Sequence, residues 1–124
     1  MEAAGVHLAY RSRDVLRGVD LRVGVGERVC LVGPNGAGKT SLLRCLTGAV
    51  RPRDGVVRLD GVPVAEYDRS SLARRVAVVP AQVELPFAMR VEEVVALGRI
   101  PHEHPLGGPG VEDRAAVDRA TAIR

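Results

Sequence analysis

Residues 33–40 read Gly33-Pro34-Asn35-Gly36-Ala37-Gly38-Lys39-Thr40, and the reading of this stretch decides the fold. It is the G-x-x-x-x-G-K-[ST] spacing. Just before it, Val29-Cys30-Leu31-Val32 is a short continuous apolar run, the pattern of a strand buried on both faces. Just after it, Thr40 to Thr47 reads as a helix with Leu42, Leu43 and Leu46 on one side and Gly48 as its stop. A strand, a glycine-rich turn and a helix in that order place backbone N–H groups around an anionic group. The glycines remove side-chain obstruction, and the helix N-terminus adds partial positive charge and free donors. The expected ligand is a nucleotide phosphate.

Composition isolates the same loop. The chain has 124 residues and a formal net charge of +3, and of its 18 Lys+Arg only Lys39 is lysine. Asn35 is the one asparagine and Gln82 the one glutamine. A compact ammonium with rotatable donors suits a tight phosphate loop better than the planar fork of arginine. Thr40 offers a hydroxyl to Mg²⁺, and Ser41 sits where it can contact an α-phosphate.

Hydrophobic residues make up 46% and charged residues 27% of the chain, a globular balance. Aromatics are 2%, so the core is aliphatic. Residues 1–62 carry 10 basic and 6 acidic side chains, and residues 63–124 carry 8 and 9. Without a basic run or interleaved aromatics, no nucleic-acid partner is expected. Cys30 and Cys45 lack metal-site spacing and are expected to be small buried hydrophobes. No apolar h-region or spanning segment is visible.

Outward from the loop, Val6, Leu8 and Tyr10 alternate on one strand face. A polar break at Arg11–Asp14 separates them from Val15, Val19, Leu21 and Val23. Gly24 to Glu27 is a turn. Val56, Val57 and Leu59 form a strand, and Asp60-Gly61 signals a hairpin. Ser70 is expected to cap a short helix through Arg74, and Val76 to Val79 to form a second apolar strand ended by Pro80. Val91 to Leu97 reads as a helix with Glu92 and Glu93 in its first turn and Gly98 behind it. Residues 100–110 read as a loop, and Val111 to Arg124 as a final helix. His102 and His104 lack further ligands and are expected to be solvent-exposed loop residues.

The run Gly33 to Thr40 with Ser41-Leu42-Leu43, then Thr47-Gly48, resembles the ATP-binding subunit of ABC transporters. So does Pro52-Arg53-Asp54-Gly55-Val56-Val57 with Asp60-Gly61. The stretch Val91-Glu92-Glu93-Val94-Val95, Leu97-Gly98-Arg99 and Pro101-His102 resembles the subgroup importing haem, ferric siderophores or cobalamin. The resemblance implies an α/β P-loop NTPase fold. The chain would be the N-terminal part of an ABC ATPase domain. An antiparallel β subdomain with the phosphate loop would span about 1–82, and the start of a helical subdomain about 83–124. It implies ATP and Mg²⁺ as cofactors, with Gly33 to Ser41 binding the nucleotide and Tyr10 stacking on adenine. It makes Lys39 and Gln82 catalytic, and Thr40 and Gln82 the Mg²⁺ residues. Here the sequence departs from the family pattern, which usually reads Val-Pro-Gln or Leu-Pro-Gln. This chain reads Val79-Pro80-Ala81-Gln82, so its glutamine is shifted by one.

The family's serine-glycine-glycine signature, catalytic glutamate and switch histidine are not among these residues. Nucleotide binding is therefore the most that the resemblance implies for this stretch alone. It also implies a membrane subunit and a second ATP-binding subunit as partners, and a cytoplasmic place on the inner face of the membrane. The alternatives are a truncated non-catalytic remnant or another P-loop NTPase.

Overall fold

The computed structural model describes residues 1–82, 87–103 and 107–122. The chain forms two compact units, Met1–Asp68 and Arg69–Arg124.

The first unit begins with β1 (Glu2–Tyr10) and β2 (Arg13–Arg22), joined by a two-residue turn at Arg11 and Ser12. Helix α1 (Lys39–Leu46) follows, then β3 (Asp54–Leu59) and the short β4 (Val62–Pro63). The four strands form an antiparallel sheet in the order β2-β1-β3-β4. A single 3₁₀ turn, Val64–Glu66, comes next.

Bulges adjust which side chains reach the core. Ala3 pairs with Leu21 and Val6 with Val19, so β1 carries one extra residue between them, beside Gly5 at φ +56°. The bulge lets Ala3, Val6 and Leu8 all point inward, at 2%, 0% and 5% exposure. A strict period of two does not allow that. Helix α1 lies against β1, β2 and β3, and its Leu42, Cys45 and Leu46 are buried in the unit's core, as are Leu16, Val57 and Val64. Each such aliphatic side chain contributes about 1.5–3 kcal/mol on full burial.

The second unit holds α2 (Arg69–Ala73), α3 (Val91–Leu97), a 3₁₀ turn at Ile100–His102, and α4 (Val111–Thr121). Helices α3 and α4 pack together. Both begin on an acidic side chain. The Glu93 carboxylate accepts the Arg90 N–H at 2.7 Å, and the Asp113 carboxylate accepts the Gly110 N–H at 2.9 Å. Asp113 also receives Arg99 Nε at 2.8 Å, which ties the end of α3 to the start of α4. The Gly110 N–H and then the Arg99 guanidinium hold this buried carboxyl below the usual carboxylate range.

Several expectations are corrected. Neither 29–32 nor 76–79 is a strand. Val32, Val78 and Val79 are 88%, 64% and 95% exposed, and Cys30 is exposed with them. An apolar run becomes a buried strand only with ladder neighbours to take its N–H and C=O groups. Among the described residues no strand pairs with either run. The polar break after Tyr10 is two residues long, because Arg13 and Asp14 already belong to β2. Ser70 lies inside α2 instead of capping it; its hydroxyl donates to Pro101 O at 3.2 Å and accepts from Arg74. The expected loop at 100–110 begins with a 3₁₀ turn, because the Ile100 and Arg99 carbonyls take the N–H groups of Glu103 and His102. His102 is exposed, and His104 lies outside the described residues. The final helix, expected over Val111 to Arg124, runs over Val111–Thr121, and residues 123–124 lie outside the described residues. On α1, Leu43 is exposed, and Cys45 joins Leu42 and Leu46 on the buried face.

Candidate functional site

The loop before α1 is built around Gly38. This residue has φ +92°, a left-handed conformation that glycine adopts without a Cβ penalty. Its carbonyl accepts the Leu42 N–H at 2.8 Å and so starts the helix. The first turn of α1 contains no acidic side chain, and no side chain caps it. Its N-terminal N–H donors and the positive end of its dipole are thus left for an anion.

Lys39 closes the loop on itself. Its Nζ donates to the carbonyls of Gly33 at 2.6 Å and Pro34 at 2.7 Å. An ammonium has three donors, so one N–H remains for a ligand.

Beside the loop lies a cavity of about 480 Å³. It is lined by Asn35 to Ser41 along the loop and the first turn of α1, and by Tyr10 and Arg13 to Val15 from the β1–β2 hairpin. The volume falls within the ordinary range for small-molecule sites. Tyr10 is half-exposed, as a stacking ring requires. The hairpin and the loop are brought together at one close approach. A Cβ on Gly38 would lie 3.0 Å from the Val15 carbonyl and 2.9 Å from Leu16 Cδ2. Only glycine permits the loop to sit that close to β2.

The structure thus brings Tyr10 together with Asn35, Gly36, Ala37, Gly38, Lys39, Thr40 and Ser41 around one cavity. Gly33 and Pro34 do not line it; they supply the carbonyls that hold Lys39. Gln82 is exposed and belongs to the second unit. Arg13, Asp14 and Val15 line the cavity and were not expected there. The signal for them is hairpin register: a two-residue turn sets Tyr10 opposite Arg13. Among the described residues no group of three His, Cys, Asp or Glu side chains could hold a metal ion. Mg²⁺ is commonly bound through one or two protein oxygens plus substrate phosphates, and the Thr40 hydroxyl on this cavity suits that role. No helix among the described residues is long and apolar enough to cross a membrane.

The family profile described as ABC transporter matches residues 16–123. Among curated proteins, the hemin import ATP-binding protein HmuV of Streptomyces coelicolor is 46% identical over 120 residues, covering 97% of this chain and 42% of that protein. The protein of the same name from Pseudomonas fluorescens is 45% identical over 103 residues, covering 83% of this chain and 40% of its own length. The chain therefore spans about two fifths of the length of these relatives. A solved ATP-binding subunit of an ABC transporter superposes with a TM-score of 0.72 at 29% identity, over 82% of this chain and 42% of that one. An ATP-binding cassette solved as a post-hydrolysis dimer with ADP and Pi gives 0.73 at 26% identity, over 94% of this chain and 54% of that one.

Proposed function

The chain belongs to the ABC transporter family, and on that premise we propose that its cavity binds ATP with Mg²⁺. The observation that carries this reading is the single cavity wall shared by Tyr10 and the loop Asn35–Ser41. The base lies on the Tyr10 ring, and the phosphates lie over the N-terminus of α1. Lys39 adds its remaining N–H to the terminal phosphates, and Gly33 and Pro34 hold that ammonium in place. Thr40 supplies its hydroxyl to Mg²⁺, and Ser41 reaches the α-phosphate. Bound ATP supplies the phosphoryl group, and the chain's own residues bind and orient it. Gln82 enters the proposal through the family resemblance alone, as the residue that senses Mg²⁺ and the attacking water.

In the whole protein we infer an ATP-hydrolysing subunit that pairs with a second copy and with a membrane subunit. Its cargo class is haem or a related iron or cobalamin complex. The support for haem is the hemin import name shared by relatives 40–48% identical to this chain, and the wider class rests on the resemblance of residues 91–102.

The test is calorimetric titration of the chain with Mg-ATP, beside Lys39→Ala. Wild-type binding that weakens at least about tenfold in the variant, roughly 1.4 kcal/mol, supports the assignment. Absent wild-type binding, or equal binding by Lys39→Ala, overturns it. For the cargo, haem-dependent growth of cells carrying the full-length protein is expected to be lost with Lys39→Ala. Unimpaired growth would refute the transport role.

A further inference from the structure

Arg13 lines the cavity and is not among the groups assigned to phosphate or Mg²⁺. It sits directly opposite Tyr10 in the β1–β2 ladder, and both residues line the cavity. Directly opposed residues share a sheet face, with Cβ atoms about 4.5–5.5 Å apart. The two side chains thus leave one face of the hairpin from neighbouring positions. Among the described residues the Arg13 side chain makes no hydrogen bond or ion pair. The other cation on the cavity, Lys39, already spends two donors on Gly33 and Pro34. The two cations stand at different places: Lys39 opens α1 at the loop, and Arg13 opens β2 beside the Tyr10 ring.

A guanidinium is planar, weakly hydrated and stacks on π faces, which an ammonium does not reproduce. Beside an aromatic ring it extends the flat surface available to a heterocyclic base. We propose that Arg13 and Tyr10 together form the platform for the nucleotide base, with the Arg13 guanidinium stacking on the part of the base that the phenol does not cover. The inference rests on the nucleotide-binding reading and deepens it, making Arg13 a binding residue at the base end of the site.

The test compares Mg-ATP with Mg-tripolyphosphate, which carries the phosphates and no base, by calorimetry on the chain. Arg13→Ala is expected to weaken ATP binding about three- to tenfold, the fold-change of a partly exposed stacking contact. Tripolyphosphate binding should change less than twofold. Arg13→Lys keeps the charge and loses the plane, and should weaken ATP about as much as alanine does. Lys39→Ala should weaken both ligands. Arg13 is exposed, and circular dichroism checks that its variants keep the wild-type fold, with Arg13→Gln as a second neutral variant. Equal ATP affinity in Arg13→Ala and wild type overturns the inference alone, provided Lys39→Ala still loses ATP. So does an equal loss of tripolyphosphate, or full rescue by lysine, since each reduces Arg13 to a general positive charge. Failure of the wild type to bind either ligand overturns the nucleotide reading, and this inference falls with it.

Discussion

Gly38→Ala tests the contact that places the phosphate loop against the sheet. Two costs add at this position. An alanine at φ +92° carries the left-handed penalty of about 1–2 kcal/mol. Its methyl would also sit 2.9 Å from Leu16 Cδ2 and 3.0 Å from the Val15 carbonyl, one of them backbone that cannot swing away. Overpacking of that kind costs about 1–3 kcal/mol. The sum is about 2–5 kcal/mol. Gly36→Ala is the matched control: φ is +82°, and nothing lies within 4 Å of the added methyl. Its cost is the backbone penalty alone, about 1–2 kcal/mol. At about 5 °C per kcal/mol for a domain of this size, Gly38→Ala lowers Tm by roughly 10–25 °C and Gly36→Ala by roughly 5–10 °C. Thermal and urea unfolding without nucleotide measure both. A double variant with Leu16→Ala should be less than additive, because removing Leu16 Cδ2 relieves part of the clash. Equal losses for the two glycine variants, or strict additivity with Leu16→Ala, would refute the claim that the loop is seated on β2 through Gly38.

Two further predictions concern parts of the chain away from the cavity. Asp113 is held below the ordinary carboxylate value of 3.8 by the Gly110 N–H and Arg99, so its contribution to stability is present above that value. As pH falls through the lowered folded value the contribution is lost. Hydrogen exchange at the start of α4 should therefore accelerate in acid, and Asp113→Asn should flatten that dependence; an unchanged acid profile would count against the α3–α4 tie. The second concerns the thiols. Cys30 is exposed, whereas Cys45 is 1% exposed and burial pushes its pKa up. A disulfide reagent should thus label one thiol in the native chain and the second only on unfolding, as mass spectrometry of labelled peptides would read. Prompt labelling of both would contradict the packing of α1 on the sheet.

What was legible in the sequence is what local physics determines. The glycine spacing, Leu42 and Leu46 of α1, the Asp60-Gly61 hairpin and the acidic start of α3 each carry their signal within a few residues. The expected strands at 29–32 and 76–79 fail for a non-local reason. Their apolar pattern states that both faces want burial, but a ladder needs partners that pattern alone does not supply. Arg13 and Asp14 were hidden because a polar stretch reads as a break. The two-residue turn at Arg11 and Ser12 carries the strand straight back, and puts Arg13 opposite Tyr10. The bulge at Gly5, which brings Ala3 onto the same face as Val6, also escapes a strict count of two. The Arg99–Asp113 pair spans fourteen positions, beyond any helical or strand period. Gln82 stands one residue from the family's usual position, a shift that local pattern alone does not resolve.

The lone lysine joins these levels. In a chain that otherwise uses arginine for positive charge, Lys39 is the basic residue that reaches two adjacent backbone carbonyls from a single point. The carbonyls of Gly33 and Pro34 lie 2.6 and 2.7 Å from the same nitrogen, which requires donors radiating from one atom. Arginine spreads its donors over three nitrogens in a plane, and a loop this tight has no matching plane to offer. At Arg13 the demand is the opposite: a flat cation beside a flat ring on an open strand face. The loop and the hairpin sides of the cavity therefore carry cations of different shape, Lys39 on one and Arg13, beside Asp14, on the other. If ATP binds as proposed, the shapes of these two cations distinguish the phosphate end from the base end.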